Sequence, residues 1–248
     1  MTDQKYHEVE FNGVRLKLPD YTLQTMTHCL HGKTNDGLDQ YFVEQAHAEV
    51  MASWISEGAA TFLDIGAATG AMVLPFAIRF PEARIIAFEP YHKVRQVLID
   101  TLSENNLASP LVVDLALSDK TGIERFTGFE LDETGETPFL PEASSLSELN
   151  HPKAKNIFPV RVQTLDGFAD HLTVTDNVVI KIDVEGWEAK VLEGGAKFLA
   201  RTKPRLAIDI HNNPFGDGDT QADVETVLAP LSYSFNKLGH VLICQPVR

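Results

Sequence analysis

Thr61–Gly70, TFLDIGAATG, is the stretch that decides how this chain folds. Thr61-Phe62-Leu63-Asp64-Ile65 is a short apolar run that reads as a buried strand, and Gly66 ends it. Gly70 follows, and Ala71–Ile78 (AMVLPFAI) reads as a helix. A buried strand, a tight glycine turn and a helix start together bring backbone N–H groups up to a ligand. The spacing is Asp-x-Gly-x-x-x-Gly. A nicotinamide dinucleotide wants three glycines in a tighter Gly-x-Gly-x-x-Gly pattern, which Ala67, Ala68 and Thr69 do not supply.

The composition around this turn is that of a soluble globular protein. Of 248 residues 44% are hydrophobic and 23% charged, enough apolar material for a full core. No apolar run is long enough to span a bilayer, and MTDQKYHEVE lacks the apolar centre of a signal peptide. A cytoplasmic protein without a membrane partner is expected, with Cys29 and Cys244 as reduced structural cysteines. The net charge of −14 argues against phosphate-backbone binding, which rests on Lys and Arg, so no nucleic-acid partner is expected. A small-molecule substrate fits better.

Upstream of the turn, Tyr6–Leu18 alternates apolar and polar residues about Asn12-Gly13, a type I′ hairpin signal. From Gln40 to Ser56, Phe42, Val43, Ala46, Val50, Trp54 and Ile55 fit one helical face. Residues 1–57 are therefore expected to be a hairpin and helical extension, with 58–248 as the main domain. The extension offers a contact surface for a homo-oligomer.

Downstream, apolar runs alternate with helical patterns. Arg84–Glu89, Pro110–Leu117, Asn177–Val184 and Arg205–His211 read as strands; Lys93–Asn105, Trp187–Ala200 and Ala222–Ala229 read as helices. Val160–Leu165 and Ile123–Phe129 are further strand candidates, the latter antiparallel. Tyr233–Leu238 and Val241–Gln245, joined by Gly239-His240, form a closing pair. The fold class expected is α/β: a Rossmann-like, seven-stranded, mostly parallel sheet with one antiparallel strand and helices on both faces. Gly128–Phe158 breaks this rhythm, and an insertion of that length suggests a lid or binding loop.

In open parallel sheets, ligands bind at the carboxyl ends of the strands. Glu89 ends the strand after the glycine turn, where an acid accepts hydrogen bonds from ribose hydroxyls, and Pro90 fixes the chain's exit. Asp64 would order the glycine loop or meet a cationic group, since a lone buried carboxylate is costly. A second constellation sits on two other strand ends. Side chains alternate along a strand, so Lys181, Asp183 and Glu185 share one face, as do Ala207, Asp209 and His211. Asp183, Glu185, Asp209 and His211 could converge there. Two carboxylates and an imidazole can supply a general base for a hydroxyl, or hold a divalent metal such as Mg2+ on Asp183, Asp209 and His211. A buried salt-bridge cluster around Lys181 is the alternative. His211, with an ordinary pKa near ~6.5, is the first choice of base at neutral pH, and Glu185 competes with it.

FLDIGAATG (Phe62–Gly70), FEP (Phe88–Pro90), LALSD (Leu115–Asp119), SSL (Ser144–Leu146), LDGF (Leu165–Phe168) and KIDVEGWEAKVLEGG (Lys181–Gly195) together resemble the FkbM-type family of class I S-adenosylmethionine-dependent methyltransferases. The resemblance runs from about residue 60 to 212 and is most specific at KIDVEG; the family's usual Asn is replaced here by Ala68. It implies S-adenosylmethionine as cofactor, with Asp64, Gly66, Ala67 and Gly70 cradling its methionine part, Glu89 and Pro90 at the ribose, and Asp114, Ala116 and Leu117 at the adenine. Asp183 would border the same ligand. It also implies O-methylation of a small-molecule hydroxyl, of the sugar or natural-product kind. Asp183, Glu185 and His211 are then the candidate catalytic residues. A non-catalytic protein that binds S-adenosylmethionine or S-adenosylhomocysteine is the alternative, and a dehydrogenase is disfavoured by the glycine spacing.

Overall fold

The computed structural model describes residues 6–11, 14–19, 22, 40–58, 60–128, 146, 156–174 and 177–247. The Asn12-Gly13 turn, Cys29, and nearly all of the segment between Gly128 and Phe158 lie outside the described residues.

Strands β1 (Tyr6–Phe11) and β2 (Val14–Pro19) pair antiparallel with Phe11 opposite Val14, as the alternation about Asn12-Gly13 requires. Leu16 and Leu18 point inward and are buried, while Lys17 between them faces outward and pairs with Glu104 at 2.9 Å. Helix α1 (Gln40–Ile55) follows. Of its expected face Val50, Trp54 and Ile55 pack on the core, and the side chains of Phe42 and Val43 lie outside the described residues. Ala46 is exposed, and His47, Ala48, Met51 and Ala52 are buried with Trp54 and Ile55. Small residues on several sides of this helix leave the apolar stripe poorly defined by sequence. Leu16, Leu18, Met51 and Trp54 share one buried cluster with Phe62 and Phe76, so the N-terminal elements extend the core of the sheet.

The central sheet contains β3 (Ala60–Ile65), β4 (Arg84–Phe88), β5 (Leu111–Val113), β9 (Asn177–Ile182), β10 (Arg205–Asp209), β11 (Tyr233–Leu238) and β12 (Val241–Pro246). Their order is β11-β12-β10-β9-β3-β4-β5, all parallel except β12. Every residue of β3 is buried, as expected of a strand covered on both faces. Helices α2 (Val73–Arg79), α3 (His92–Glu104), α4 (Leu165–Ala169), α5 (Glu188–Gly194), α6 (Ala196–Thr202) and α7 (Gln221–Leu228) cover the sheet. One buried cluster centres on Phe62, Phe76 and Leu98; another, on Leu63, Ile180, Leu192 and Phe198.

Two elements differ from the sequence reading. Pro110–Leu117 is not one strand. β5 stops at Val113, and β6 (Ala116–Leu117) joins a separate three-stranded sheet with β8 (Asn156–Gln163) and β7 (Gly122–Gly128), in the order β6-β8-β7. The chain turns at Asp114, which Arg95 and Arg161 hold at 2.8 and 3.3 Å. Trp187–Ala200 is likewise two helices, interrupted at Gly194-Gly195, where Glu193-Gly194-Gly195 signals a break. A Cβ on Gly194 would lie 1.9 Å from the Ser118 carbonyl oxygen, so only glycine lets α5 rest against the end of β6.

Candidate functional site

The carboxyl ends of β3, β4, β9 and β10 face one side of the molecule, and the sequence-predicted residues gather there. Gly66 turns the chain with φ +82. A Cβ at this position would meet the Asp183 carbonyl oxygen at 1.8 Å, so the β3 turn and the end of β9 touch backbone to backbone. Gly66 and Ala67 both donate to the Phe88 carbonyl, Ala68 donates to Glu89 Oε2 at 3.0 Å, and Gly70 donates to the Ala67 carbonyl. These amides are occupied within the turn. It is no phosphate cradle, because phosphate-binding loops leave such donors open.

Two acids flank the turn. Asp64 is 1% exposed, and neither of its oxygens accepts a hydrogen bond among the described residues. Its nearest cation is Lys181 Nζ at 3.5 Å. Burial raises the Asp64 pKa to about 6, with Lys181 opposing and Asp183 adding to the rise. Glu89 is buried and pinned, with Oε1 accepting from the Tyr91 amide at 2.7 Å and Oε2 from Ala68. Pro90 lies beside it, its carbonyl accepting from Arg95 at 2.9 Å. Asp114 is half exposed between its two arginines, while Ala116 and Leu117 are buried in β6.

On the neighbouring strand ends a charged cluster forms. Lys181 lies 3.1 Å from Asp183 as well as near Asp64. Burial pulls the lysine's pKa down, but Asp183 and Asp64 outweigh it and hold the ammonium charged. Burial likewise pushes Asp183 up, and Lys181 and His211 together bring it below the usual carboxylate value. Both readings of this cluster are thus realised at once: a salt bridge around Lys181, and a convergence of acids on His211. His211 Nε2 is 3.6 Å from Asp183 Oδ1 and 3.6 Å from Glu185 Oε1. Donor atoms of Asp183, Asp209 and His211 come within 4.8 Å of one another. Asp209 also lies 3.4 Å from His240 Nε2.

His211 does not have the ordinary pKa that its residue type suggests. Burial alone would lower it, but a hydrogen bond to Glu188 and the charges of Glu185, Asp209 and Asp183 raise it well above the usual value. Glu188 was not among the residues singled out from the sequence. It is fully buried, with Oε1 2.9 Å from His211 Nδ1 and accepting from the Gly186 amide at 2.9 Å. The Glu185-x-x-Glu188 spacing brings two acids to one ring only because Glu185 and Gly186 take left-handed conformations, which the residue types do not announce. Trp187, between them, donates its indole N–H to Ser118 Oγ at 3.1 Å, tying α5 to β6, and stacks beside Phe215 at 5.0 Å.

The model of the methyltransferase FkbM domain matches residues 64–239, most of the chain, including Asp64, Lys181, Asp183, Glu185, Glu188, Asp209 and His211. The chain belongs to the FkbM methyltransferase family. This is a family of class I S-adenosylmethionine-dependent methyltransferases with a Rossmann-like sheet, and the FkbM domain described here has that sheet with its antiparallel strand. Among solved structures, the FkbM methyltransferase from Methylobacillus flagellatus KT is similar with a TM-score of 0.49 and 16% identity. That similarity covers 90% of this chain and 58% of the other, so the FkbM domain spans little more than half of that protein's length. Magnesium protoporphyrin IX methyltransferase from Synechocystis PCC 6803, solved with bound S-adenosylmethionine, gives 0.47 and 12% identity over 91% of this chain and 92% of its own. A Pyrococcus abyssi tRNA (uracil-54, C5)-methyltransferase in complex with S-adenosylhomocysteine gives 0.46 and 13% identity, over 98% of this chain and 44% of that one. Comparison with curated proteins gives no match. Among the described residues no helix is long and apolar enough to cross a membrane.

Proposed function

We propose that this FkbM domain uses S-adenosylmethionine to methylate a hydroxyl group on a small molecule, with His211 accepting the hydroxyl proton. The observation that carries this reading is the convergence of His211 Nε2 with Asp183 and Glu185, beside the Gly66 turn. A hydroxyl becomes a competent nucleophile only as its proton leaves, and an imidazole held at a strand end can take it. Asp183 and Glu185 sit on either side of Nε2, where they stabilise the charge it gains.

The residues of the turn fit the cofactor. Asp64, a buried carboxylate 3.5 Å from Lys181, places negative charge beneath the turn and suits an ammonium such as that of the methionine moiety. Glu89 is a buried carboxylate held at the end of β4 by the Ala68 and Tyr91 amides, where an acid meets ribose hydroxyls, and the occupied turn amides suit a ligand without phosphate. When bound, S-adenosylmethionine supplies an electrophilic methyl group whose bonding pair stays with sulfur. The chain's part is to align the acceptor, exclude water and hold the proton at Nε2.

Calorimetry with S-adenosylmethionine, S-adenosylhomocysteine and NAD tests the cofactor: the first two bind and NAD does not. Methyl transfer to a panel of hydroxylated metabolites tests the reaction, and His211→Ala lowers turnover at least ~100-fold with little change in cofactor affinity. Tight binding without transfer to any acceptor would instead support a non-catalytic binding protein. The close donor atoms of Asp183, Asp209 and His211 favour a second reading, in which a divalent cation such as Mg2+ holds the acceptor oxygen. Loss of activity in chelator, restored by magnesium, would select it.

A further inference from the structure

The His211 ring has two nitrogens, and the fold treats them differently. Nδ1 faces the Glu188 carboxylate at 2.9 Å, a group with no solvent exposure. Nε2 lies 3.6 Å from Asp183 and 3.6 Å from Glu185. The backbone builds this arrangement. Glu185 and Gly186 both adopt left-handed conformations, with φ of 55° and 97°, so the chain doubles back between β9 and α5. That reversal sends Glu185 to one side of the ring and Glu188 to the other. A non-glycine residue held at positive φ is energetically disfavoured. The cost is borne here at the one place where two acids must address a single histidine.

Glu188 is itself fixed before the ring arrives. Its Oε1 accepts the Gly186 amide at 2.9 Å, and its helix α5 is packed against β6 through Gly194 and Trp187. The His211 carbonyl is fixed too, accepting from the Thr220 amide at 2.9 Å. Around the ring stand Asp183 from β9, Glu185 from the turn, Glu188 from α5 and Asp209 from β10, with Lys181 beyond Asp183 and His240 beyond Asp209. Among these Glu188 alone is in hydrogen-bond contact with Nδ1.

We infer that Glu188 is a positioning residue, which keeps the proton of His211 on Nδ1 and so leaves Nε2 as the ring atom that takes the acceptor's proton. A carboxylate accepts and cannot donate, so the neutral ring facing it must carry its hydrogen on Nδ1. Free histidine prefers the opposite form, with hydrogen on Nε2. Without Glu188 most rings would present a filled Nε2 to the acceptor, and the base would be in the wrong tautomer. This inference rests on His211 being the base, but its first test does not need turnover.

The experiment is nitrogen NMR of the histidine rings in the intact protein at alkaline pH, where the neutral ring dominates, with His211 assigned by its loss in His211→Gln. The expected result is an Nδ1–H ring in the wild type, unlike free histidine. Glu188→Gln keeps an acceptor oxygen of the same reach and is expected to retain the Nδ1–H form and to keep turnover within about tenfold of wild type. Glu188→Met removes the acceptor and is expected to return the ring to Nε2–H, with kcat down roughly 100-fold and cofactor affinity unchanged. An Nε2–H ring in the wild type overturns the inference, as does an unchanged tautomer in folded Glu188→Met. Should Glu188→Met fail to fold, the wild-type and Glu188→Gln rings still decide it. An Nδ1–H ring combined with full turnover in His211→Gln would uphold the tautomer and reject His211 as base.

Discussion

Gly66 and Asp183 meet backbone to backbone: a Cβ on residue 66 would stand 1.8 Å from the Asp183 carbonyl oxygen. The two sequence motifs that mark the site, the glycine turn and the KIDVEG strand, are thus locked together by the lack of one methyl group. Gly66→Ala would force both the clash and a left-handed alanine, at a cost of roughly 2–4 kcal/mol. Thermal unfolding checks this, and calorimetry should show cofactor binding lost with it. Gly216→Ala, where a Cβ meets only ordinary contacts, is the control and should change stability by less than about 0.5 kcal/mol.

Asp64 is a carboxylate that the free fold accommodates poorly. Its folded pKa of about 6 lies above the ordinary value of 3.8. The unfolded chain therefore gives up this proton more readily, and stability falls as pH rises from about 4 to 6, staying lower above that. Asp64→Asn should stabilise the free protein at pH 8 by roughly 1–3 kcal/mol, with the gain fading below pH 4. The same variant should bind S-adenosylmethionine more weakly. Greater stability at pH 4 than at pH 8 from this substitution would refute the account.

His211 works in the opposite sense. Its folded pKa is raised, so its contribution to stability is complete below ~6.5, the unfolded value, and is lost as pH rises through the folded value. A base must be neutral to act. Turnover should therefore rise with pH across the same window in which the His211 contribution to stability declines. Rate–pH and melting–pH profiles on one sample check this pairing. A turnover limb centred at or below pH 6.5 would count against it.

Ala68 occupies the left-handed region at φ 47 while its amide serves Glu89. Asparagine tolerates that conformation better than alanine. Ala68→Asn should raise stability by roughly 0.5–1 kcal/mol and preserve cofactor affinity, read by melting temperature and calorimetry. A fall in melting temperature would mean that the side chain at this position meets something that alanine avoids.

The sequence spoke clearly where period and buried hydrophobicity dominate. β3, β4, β9 and β10 are continuous apolar runs, and Asn12-Gly13 marks a hairpin whose two strands pair as the alternation requires. It spoke less clearly at Pro110–Leu117, where apolar residues belong to two different sheets. The switch rests on arginines from α3 and β8 holding Asp114, a tertiary fact with no local signature. In the candidate site, Asp183, Asp209 and His211 were readable as strand-end residues, although β9 stops at Ile182 and β10 at Asp209, so Asp183 and His211 lie just past the expected alternation. Glu188 was not, because its role needs two left-handed residues before it, and the non-glycine Glu185 gives no warning of one. Nearly all of the segment between Gly128 and Phe158, read as a lid or binding loop, falls outside the described residues.

Asp64, Asp183, Glu185, Glu188 and Asp209 crowd around Lys181 and His211, with His240 beyond Asp209, which leaves the site with more acids than bases. A donor carrying a sulfonium neutralises part of that surplus, whereas the thioether left after transfer carries no such charge at sulfur. If His211 retains the proton, the positive charge has moved from sulfur to imidazole without leaving the enclosure. In the proposed reaction the spent thioether thereby loses the sulfonium's share of the attraction to these carboxylates.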